Sequence, residues 1–245
     1  MSATIAVAAI VSCSKDDAPA PSPLTPNEDG TVTITATVEN GATYNSQIDS
    51  VKVRGYVTGY VDVATVPYVN GGFSFDLPKD VAAANLTPYF DDEDLEGQFK
   101  GLTISNKDVK AFQIENFEAY KNGNNNSVGY FYYGSEDTDD KTYMNEVEVD
   151  FIYVDADCSI SGSTKVDISE FKGATFNASV SLKKGWNALY QVMNMSAAND
   201  KISAVTITLT TTPQNGVKWT YYNPNEGSKI SRGFGIELNQ LTPAK

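Results

Sequence analysis

The feature that most constrains the fold is an alternation of apolar and polar residues that recurs along the chain. Residues 31–39 and 147–154 both alternate, and in the second segment Val147, Val149 and Phe151 fall on one side. Period two with many β-branched residues is typical of strands that bury one face. Because such segments recur with turn sequences between them, about every 8–12 residues, we expect an all-β protein built from β-sandwiches.

Turn sequences and one acidic segment predict how these strands are organised. Asn70-Gly71 lies between aromatic strand residues and supplies the positive-φ positions of a tight hairpin turn. Residues 91–97 carry five acids before a glycine and are interpreted as a boundary loop. We therefore expect two antiparallel β-sandwich domains, of immunoglobulin-like or transthyretin-like type, at residues 30–97 and 98–245.

Charge and residue usage exclude several classes of function. The chain of 245 residues has 18 Lys and Arg against 31 Asp and Glu, a net charge of −13. Nucleic-acid binding needs a basic face, so we expect no nucleic-acid partner. The chain contains no histidine, which removes Ser-His-Asp and Cys-His catalysis and the usual zinc ligands. We expect no enzyme; a glycoside hydrolase using paired carboxylates is the least favoured alternative.

The N-terminal segment predicts export and a tether. Residues 2–12 form a short apolar run with small residues before Cys13, the shape of a secretory signal peptide. This run is too short for a transmembrane helix. Prolines alternate with small residues in 18–26, which favours an extended, disordered linker. We therefore expect a signal peptide at 1–12 and a lipidated cysteine with a proline-rich linker at 13–29.

Several short motifs resemble those of one bacterial group. Ile10-Val11-Ser12-Cys13 resembles a lipobox, and Ser14-Lys15-Asp16-Asp17 is similar to the export signal of Bacteroidetes lipoproteins. Val128–Tyr133, Lys184–Asn187 and Gly216–Trp219 are similar to strands and a turn of uncharacterised Bacteroidetes surface lipoproteins. The resemblance implies an outer-membrane protein that is anchored by lipid at Cys13 and exposed on the cell surface. It implies no known activity.

Aromatic residues are the candidate ligand-binding groups, because flat rings stack on apolar faces of sugars. The candidates are Trp186, Tyr221, Tyr222, Tyr130 and Tyr132. Roughly half of the strand aromatics must face the core by the period-two rule; we expect Trp219 in the core, and Trp186, Tyr221 and Tyr222 exposed. The predicted function is a non-catalytic binding or adhesion module for a glycan or a surface protein. The alternative is a structural subunit of an outer-membrane or pilus-like assembly, joined through edge strands.

Acidic residues in loops provide the candidate metal ligands. They are Asp91, Asp92, Asp94, Asp155 and Asp157. Clustered carboxylates suit Ca²⁺, but the spacing does not match the EF-hand pattern. We interpret these acids as solvated loops and expect no cofactor, with Ca²⁺ as the alternative.

Overall fold

The structure, a computed structural model, describes residues 24–90, 97, 99–122, 124, 126–139, 143–168, 171–198, 201–223 and 241–243. Within these residues the chain forms strands β1 to β15 and two short 3₁₀ turns, Gly41–Tyr44 and Ala83–Asn85. No helix of seven or more residues occurs in the described chain. The prediction of an all-β protein is confirmed.

The strands vary from two to fourteen residues in length. In chain order they are β1 Val32–Thr37, β2 Ser50–Tyr56, β3 Tyr60–Pro67, β4 Gly72–Leu77, β5 Thr87–Pro88, β6 Thr103–Ile104, β7 Lys110–Tyr120, β8 Gly129–Asp139, β9 Tyr143–Val154, β10 Cys158–Ile168, β11 Phe171–Leu182, β12 Gly185–Ala198, β13 Lys201–Thr210, β14 Lys218–Tyr222 and β15 Leu241–Pro243.

Two sheets contain all of these strands. β1 and β4 form a two-stranded sheet, and the rest form one large sheet in the order β15-β10-β11-β13-β12-β9-β8-β7-β2-β3. Outside that order, β14 pairs with β8, β5 with β7 and β6 with β10. β11 and β13 are parallel. β12 runs in the opposite direction between them in the chain and pairs with the edge of β13 that faces away from β11. The expectation of purely antiparallel sheets is therefore wrong at this pair.

The apolar interior is divided into two main clusters. The Trp219 core includes side chains from β1, β4 and the large sheet, among them Ile34, Phe75, Phe117 and Phe131. The second cluster, the Phe176 core, consists mainly of side chains from strands β9 to β13, together with Phe90, Phe99 and Ala111 from earlier in the chain. Pairing between β2 and β7 crosses the predicted division between residues 97 and 98, from Ser50↔Tyr120 to Tyr56↔Gln113.

The turn predicted at Asn70-Gly71 is present. These residues have φ of 53° and 80°, and Val69 and Gly72 exchange backbone hydrogen bonds of 2.9 and 3.1 Å. The expected hairpin does not extend beyond this bridge, because β4 pairs with β1 rather than with β3. Apolar side chains on β1 and β4 therefore face the large sheet together and help to build the Trp219 core.

Candidate functional site

Alternation along β2 separates the core from a second face of the large sheet. Val51 and Val53 are buried in the Trp219 core, whereas Lys52, Arg54 and Tyr56 point the other way. We call this second face, on strands β2, β3, β7, β8 and β14, the outer face. The pairing of β2 with β7 places Glu118 beside Lys52 on the outer face.

Arg54 is the centre of a charged network on the outer face, the Arg54 cluster, which consists of Lys52, Arg54, Asp62, Glu118 and Tyr120. The Nε of Arg54 donates to Asp62 Oδ1 at 2.9 Å, and Nη1 donates to Glu118 Oε1 at 3.2 Å. Tyr120 donates its hydroxyl to Glu118 Oε2 at 2.6 Å. Lys52 Nζ lies 3.4 Å from Asp62 Oδ2. Charge-assisted bonds of this kind hold the guanidinium in one orientation.

Two members of the Arg54 cluster, Arg54 and Tyr120, keep fixed protonation states near neutral pH. Burial lowers the pKa of Arg54, but the charges of Glu118, Tyr120 and Asp62 outweigh it and raise the pKa above its ordinary value. Burial, with the hydrogen bond to Glu118 as a second cause, raises the pKa of Tyr120 to about 12. General acid–base catalysis needs a group that titrates near the working pH, and neither Arg54 nor Tyr120 does so. Arg54, whose guanidinium has further N–H groups besides those bonded to Asp62 and Glu118, is suited to binding through fixed donors.

Two exposed tyrosines adjoin the Arg54 cluster and form the Tyr56–Tyr60 pair. Tyr56 is 45% exposed and Tyr60 is 55% exposed. Their ring centroids lie 5.6 Å apart with the planes at 75°, and the guanidinium carbon of Arg54 lies 5.7 Å from the Tyr60 ring centroid. Tyrosine contributes large contact area with few rotatable bonds. Because the two planes are nearly perpendicular, one ring can stack on the face of a ligand while the other contacts its edge.

A second tyrosine pair lies on the same face. Tyr130 of β8 is the cross-strand partner of Tyr222 of β14 and, on its other side, of Glu118. Both tyrosines are half-buried. Tyr132, opposite Thr220, donates its hydroxyl to the Val147 carbonyl at 2.8 Å. Burial strongly raises the pKa of Tyr132.

The other two predicted ligand residues, Trp186 and Tyr221, lie in the Trp219 core. Trp186 is 9% exposed and Tyr221 is 6% exposed, so the expectation that they would be exposed is wrong. Trp186 Nε1 donates to the Pro78 carbonyl at 2.8 Å, and the Tyr221 hydroxyl donates to the Val128 carbonyl at 2.9 Å. These partners let the polar ends of both rings be buried. The expectation that Trp219 is a core residue is confirmed.

Sequence reasoning missed Tyr56, Tyr60 and Arg54. Strict alternation from Val51 and Val53 assigns Tyr56 to the opposite face, and the structure follows that alternation. The partner Glu118 on β7 could not be found from local sequence, because it is 64 residues from Arg54.

Of the five candidate metal ligands, Asp155 and Asp157 form hydrogen bonds within the protein, and the other three lie outside the described residues. Asp155 accepts a bond from the Lys110 amide at 2.9 Å. Asp157 accepts bonds from the Lys184 amide and from Lys183 Nζ, both at 2.9 Å; the first of these, more than the second, lowers the pKa of Asp157. Asp91, Asp92 and Asp94 lie outside the described residues, as does Cys13. Within the described residues no three acidic or cysteine side chains are arranged to hold a metal ion.

Comparison of the chain with family models, with curated proteins and with solved structures finds no match. No helix in the described part of the chain is long and apolar enough to cross a membrane. The outer face, with its two tyrosine pairs and the Arg54 cluster, is the candidate site that the geometry defines.

Proposed function

We propose that the protein is a non-catalytic glycan-binding module and that its ligand contacts the Tyr56–Tyr60 pair and the Arg54 cluster. One observation supports this most directly: two exposed tyrosine rings lie beside an arginine that two carboxylates hold in place. Sugars have apolar C–H faces and polar hydroxyl edges. Tyrosine rings suit the faces, and a few fixed polar groups beside an apolar platform suit the edges.

The proposal includes the location of the protein. We propose that lipid at Cys13 anchors the chain to the outer membrane of a bacterium and that the folded part faces outward. The lipobox-like sequence 10–13 and the acidic export-like sequence 14–17 support this. A single acyl chain binds a membrane only reversibly, so anchoring of this kind requires more than one chain on the cysteine. Mass spectrometry of the native N-terminal peptide tests it, and an unmodified Cys13 would contradict it.

We also propose that the fold consists of two sandwich-like units. The β1–β4 sheet and the large sheet bury side chains in the same Trp219 core, and a separate core surrounds Phe176. Two separate cores support two units. The β2–β7 ladder joins residues on both sides of 97 and 98 and contributes to the Trp219 core, so the unit around that core includes residues from both sides of the predicted boundary. Limited proteolysis near residue 97 tests this: the fragments should stay associated after cleavage.

The test of glycan binding uses one changed residue and one matched control. Tyr60→Ala removes one ring of the Tyr56–Tyr60 pair, and we expect at least about a tenfold loss of affinity, because truncating a central aromatic contact costs about 2 kcal/mol. Tyr143→Ala is the control, since Tyr143 is 42% exposed and belongs to β9, outside the outer-face strands β2, β3, β7, β8 and β14. Both variants and the wild type are screened on a glycan array.

The array separates the outcomes. Binding by the wild type and Tyr143→Ala, with loss in Tyr60→Ala, is the expected result. Absence of wild-type binding above background would exclude a glycan ligand among those tested. Equal binding by Tyr60→Ala and the wild type would move the site away from the Tyr56–Tyr60 pair.

A specific observation favours a second candidate function, assembly with other chains. β3 ends the strand order of the large sheet and, among the described strands, pairs only with β2. An open edge can accept a further strand. A structural subunit that assembles through β3 would form oligomers whose mass rises with concentration. Sedimentation measured over a range of protein concentrations distinguishes this function from glycan binding by a monomer.

A further inference from the structure

We infer that the ligand is an uncharged oligosaccharide chain that reaches from the Tyr56–Tyr60 pair to the Tyr130–Tyr222 pair. The inference rests on the proposed function, because it assigns a length and a charge to the glycan. It adds a second subsite, made by β8 and β14, to the one made by β2 and β3.

Strand register places both pairs on one surface. Tyr222 is opposite Tyr130, Tyr130 is opposite Glu118, and Glu118 is opposite Lys52. Residues directly opposite in antiparallel strands lie on the same face. Tyr56 is on that face too, because it lies four residues from Lys52 on β2 and side chains repeat every second residue. The chain of pairings therefore joins the two tyrosine pairs without a change of face.

The distance between the pairs requires a ligand longer than one sugar ring. Three inter-strand steps separate the centre of one pair from that of the other, about 14 Å at the usual strand spacing. Four residues along β2 add about 13 Å in the perpendicular direction. The centres are therefore about 19 Å apart on the sheet surface, which is several sugar rings in an extended chain. The Arg54 cluster lies between them and can contact hydroxyls in the middle of such a chain.

The charges of the Arg54 cluster favour an uncharged chain. Two cations, Lys52 and Arg54, oppose two carboxylates, Asp62 and Glu118, within 3.4 Å for each ion pair. The cluster is therefore close to neutral. The whole chain carries a net charge of −13, which repels sulfated and uronic acid chains at long range. A neutral glycan avoids this repulsion and still uses the donors and acceptors of the cluster.

The test measures affinity as a function of chain length. The probes are neutral gluco-, xylo- and manno-oligosaccharides from the disaccharide to the hexasaccharide, titrated by calorimetry into the full chain. We expect wild-type affinity to rise by about tenfold or more between the disaccharide and the longer chains, since a second aromatic contact that adds about 1.4 kcal/mol changes the affinity tenfold. Affinity should stay constant as salt is added, and an oligogalacturonate should bind at least as weakly as the neutral disaccharide.

Variants locate the second subsite. Tyr222→Ala should reduce the affinity for long chains by about tenfold and leave the affinity for the disaccharide unchanged. Tyr222→Phe keeps the ring and should bind like the wild type. Tyr60→Ala should lose affinity for short and long chains alike. Circular dichroism of each variant identifies loss through unfolding, and the wild-type length series needs no variant.

Each outcome decides one claim. An affinity that does not change with chain length, or a Tyr222→Ala variant that binds long chains like the wild type, would overturn the two-subsite ligand and leave glycan binding at the Tyr56–Tyr60 pair intact. Tighter binding of the oligogalacturonate would overturn the uncharged ligand. If neither these oligosaccharides nor the array glycans bind the wild type, the proposed function itself fails.

Discussion

The two faces of strands β2, β7, β8 and β14 contain similar residue types in opposite environments. On the inner face the Trp219 ring stacks 4.8 Å from Tyr133 at 15° and meets Phe117 edge-on at the same distance. On the outer face Tyr56 and Tyr60 contact each other and remain about half exposed. Aromatic content alone therefore does not locate a binding surface in this chain. The side of the strand decides whether a ring stabilises the fold or is free to meet a ligand.

The largest expected effect comes from removing the central ring of the inner face. Trp219→Ala leaves a cavity among Phe73, Phe117 and Tyr133, and we expect it to lower the free energy of unfolding by about 3–5 kcal/mol. Tyr60→Ala on the outer face should change it by less than about 0.5 kcal/mol. Urea denaturation of the two variants measures the difference. A Trp219→Ala variant no less stable than Tyr60→Ala would contradict the assignment of the two faces.

A smaller effect is expected where backbone and ring are in close contact on the inner face. A Cβ at Gly55 would overlap the ring of Phe112, whereas a Cβ at Gly59 has open space around it. Gly55→Ala should therefore lower the free energy of unfolding by about 1–3 kcal/mol through overpacking.

Gly59→Ala is the matched control, since both glycines border the same β2–β3 connection and neither has a positive φ. It should change the free energy of unfolding by less than about 0.5 kcal/mol, measured by the same denaturation. Equal destabilisation by both substitutions would mean that the loss comes from the connection and not from the Phe112 contact.

Local sequence predicted the elements of the fold better than their partners. The alternation in 31–39 and 147–154 and the Asn70-Gly71 turn all produced the predicted local structure. The pairing of β4 with β1 and the parallel pairing of β11 with β13 could not be predicted. These pairings depend on which apolar faces meet in the folded chain, and period two determines only which residues share a face.

In the candidate site too, local sequence predicts which residues share a face but not which distant residues meet. Tyr130, Tyr132 and Tyr222 were predicted from strand aromatics and lie on the outer face, whereas Trp186 was expected in an exposed turn and is buried. Its indole reaches Pro78 across 108 residues, a contact that no local pattern contains. Arg54 and Glu118 come together only because β2 and β7 pair. The charged part of the site therefore depends on long-range pairing, and its tyrosines depend mainly on alternation.

The smallest effect should appear only as a dependence on pH, at Asp150, where the side of the sheet opposite the Trp219 core is itself partly covered. Asp150 of β9 lies opposite Leu189, which belongs to the Phe176 core. Burial raises the pKa of Asp150 well above its ordinary value, the charges of Glu148 and Glu115 add to the rise, and a hydrogen bond with Gln113 opposes it. The folded chain thus keeps a proton on Asp150 at pH values where the unfolded chain has released it.

This difference in proton binding fixes the sign of the pH effect. Between the ordinary aspartate pKa of about 3.9 and the raised value, the folded state binds more protons, so the contribution of Asp150 to stability falls as pH rises. Asp150→Asn should therefore be more stable than the wild type at pH 8 and gain less at pH 4. Asp49→Asn is the contrasting control: a bond from the Asn122 amide, with Lys121, lowers the pKa of Asp49, so its contribution is lost as pH falls. If Asp150→Asn instead lost more stability at pH 8 than at pH 4, the Asp150 carboxylate would be charged and stabilising in the folded chain. The surroundings of Asp150 would then be hydrated rather than buried.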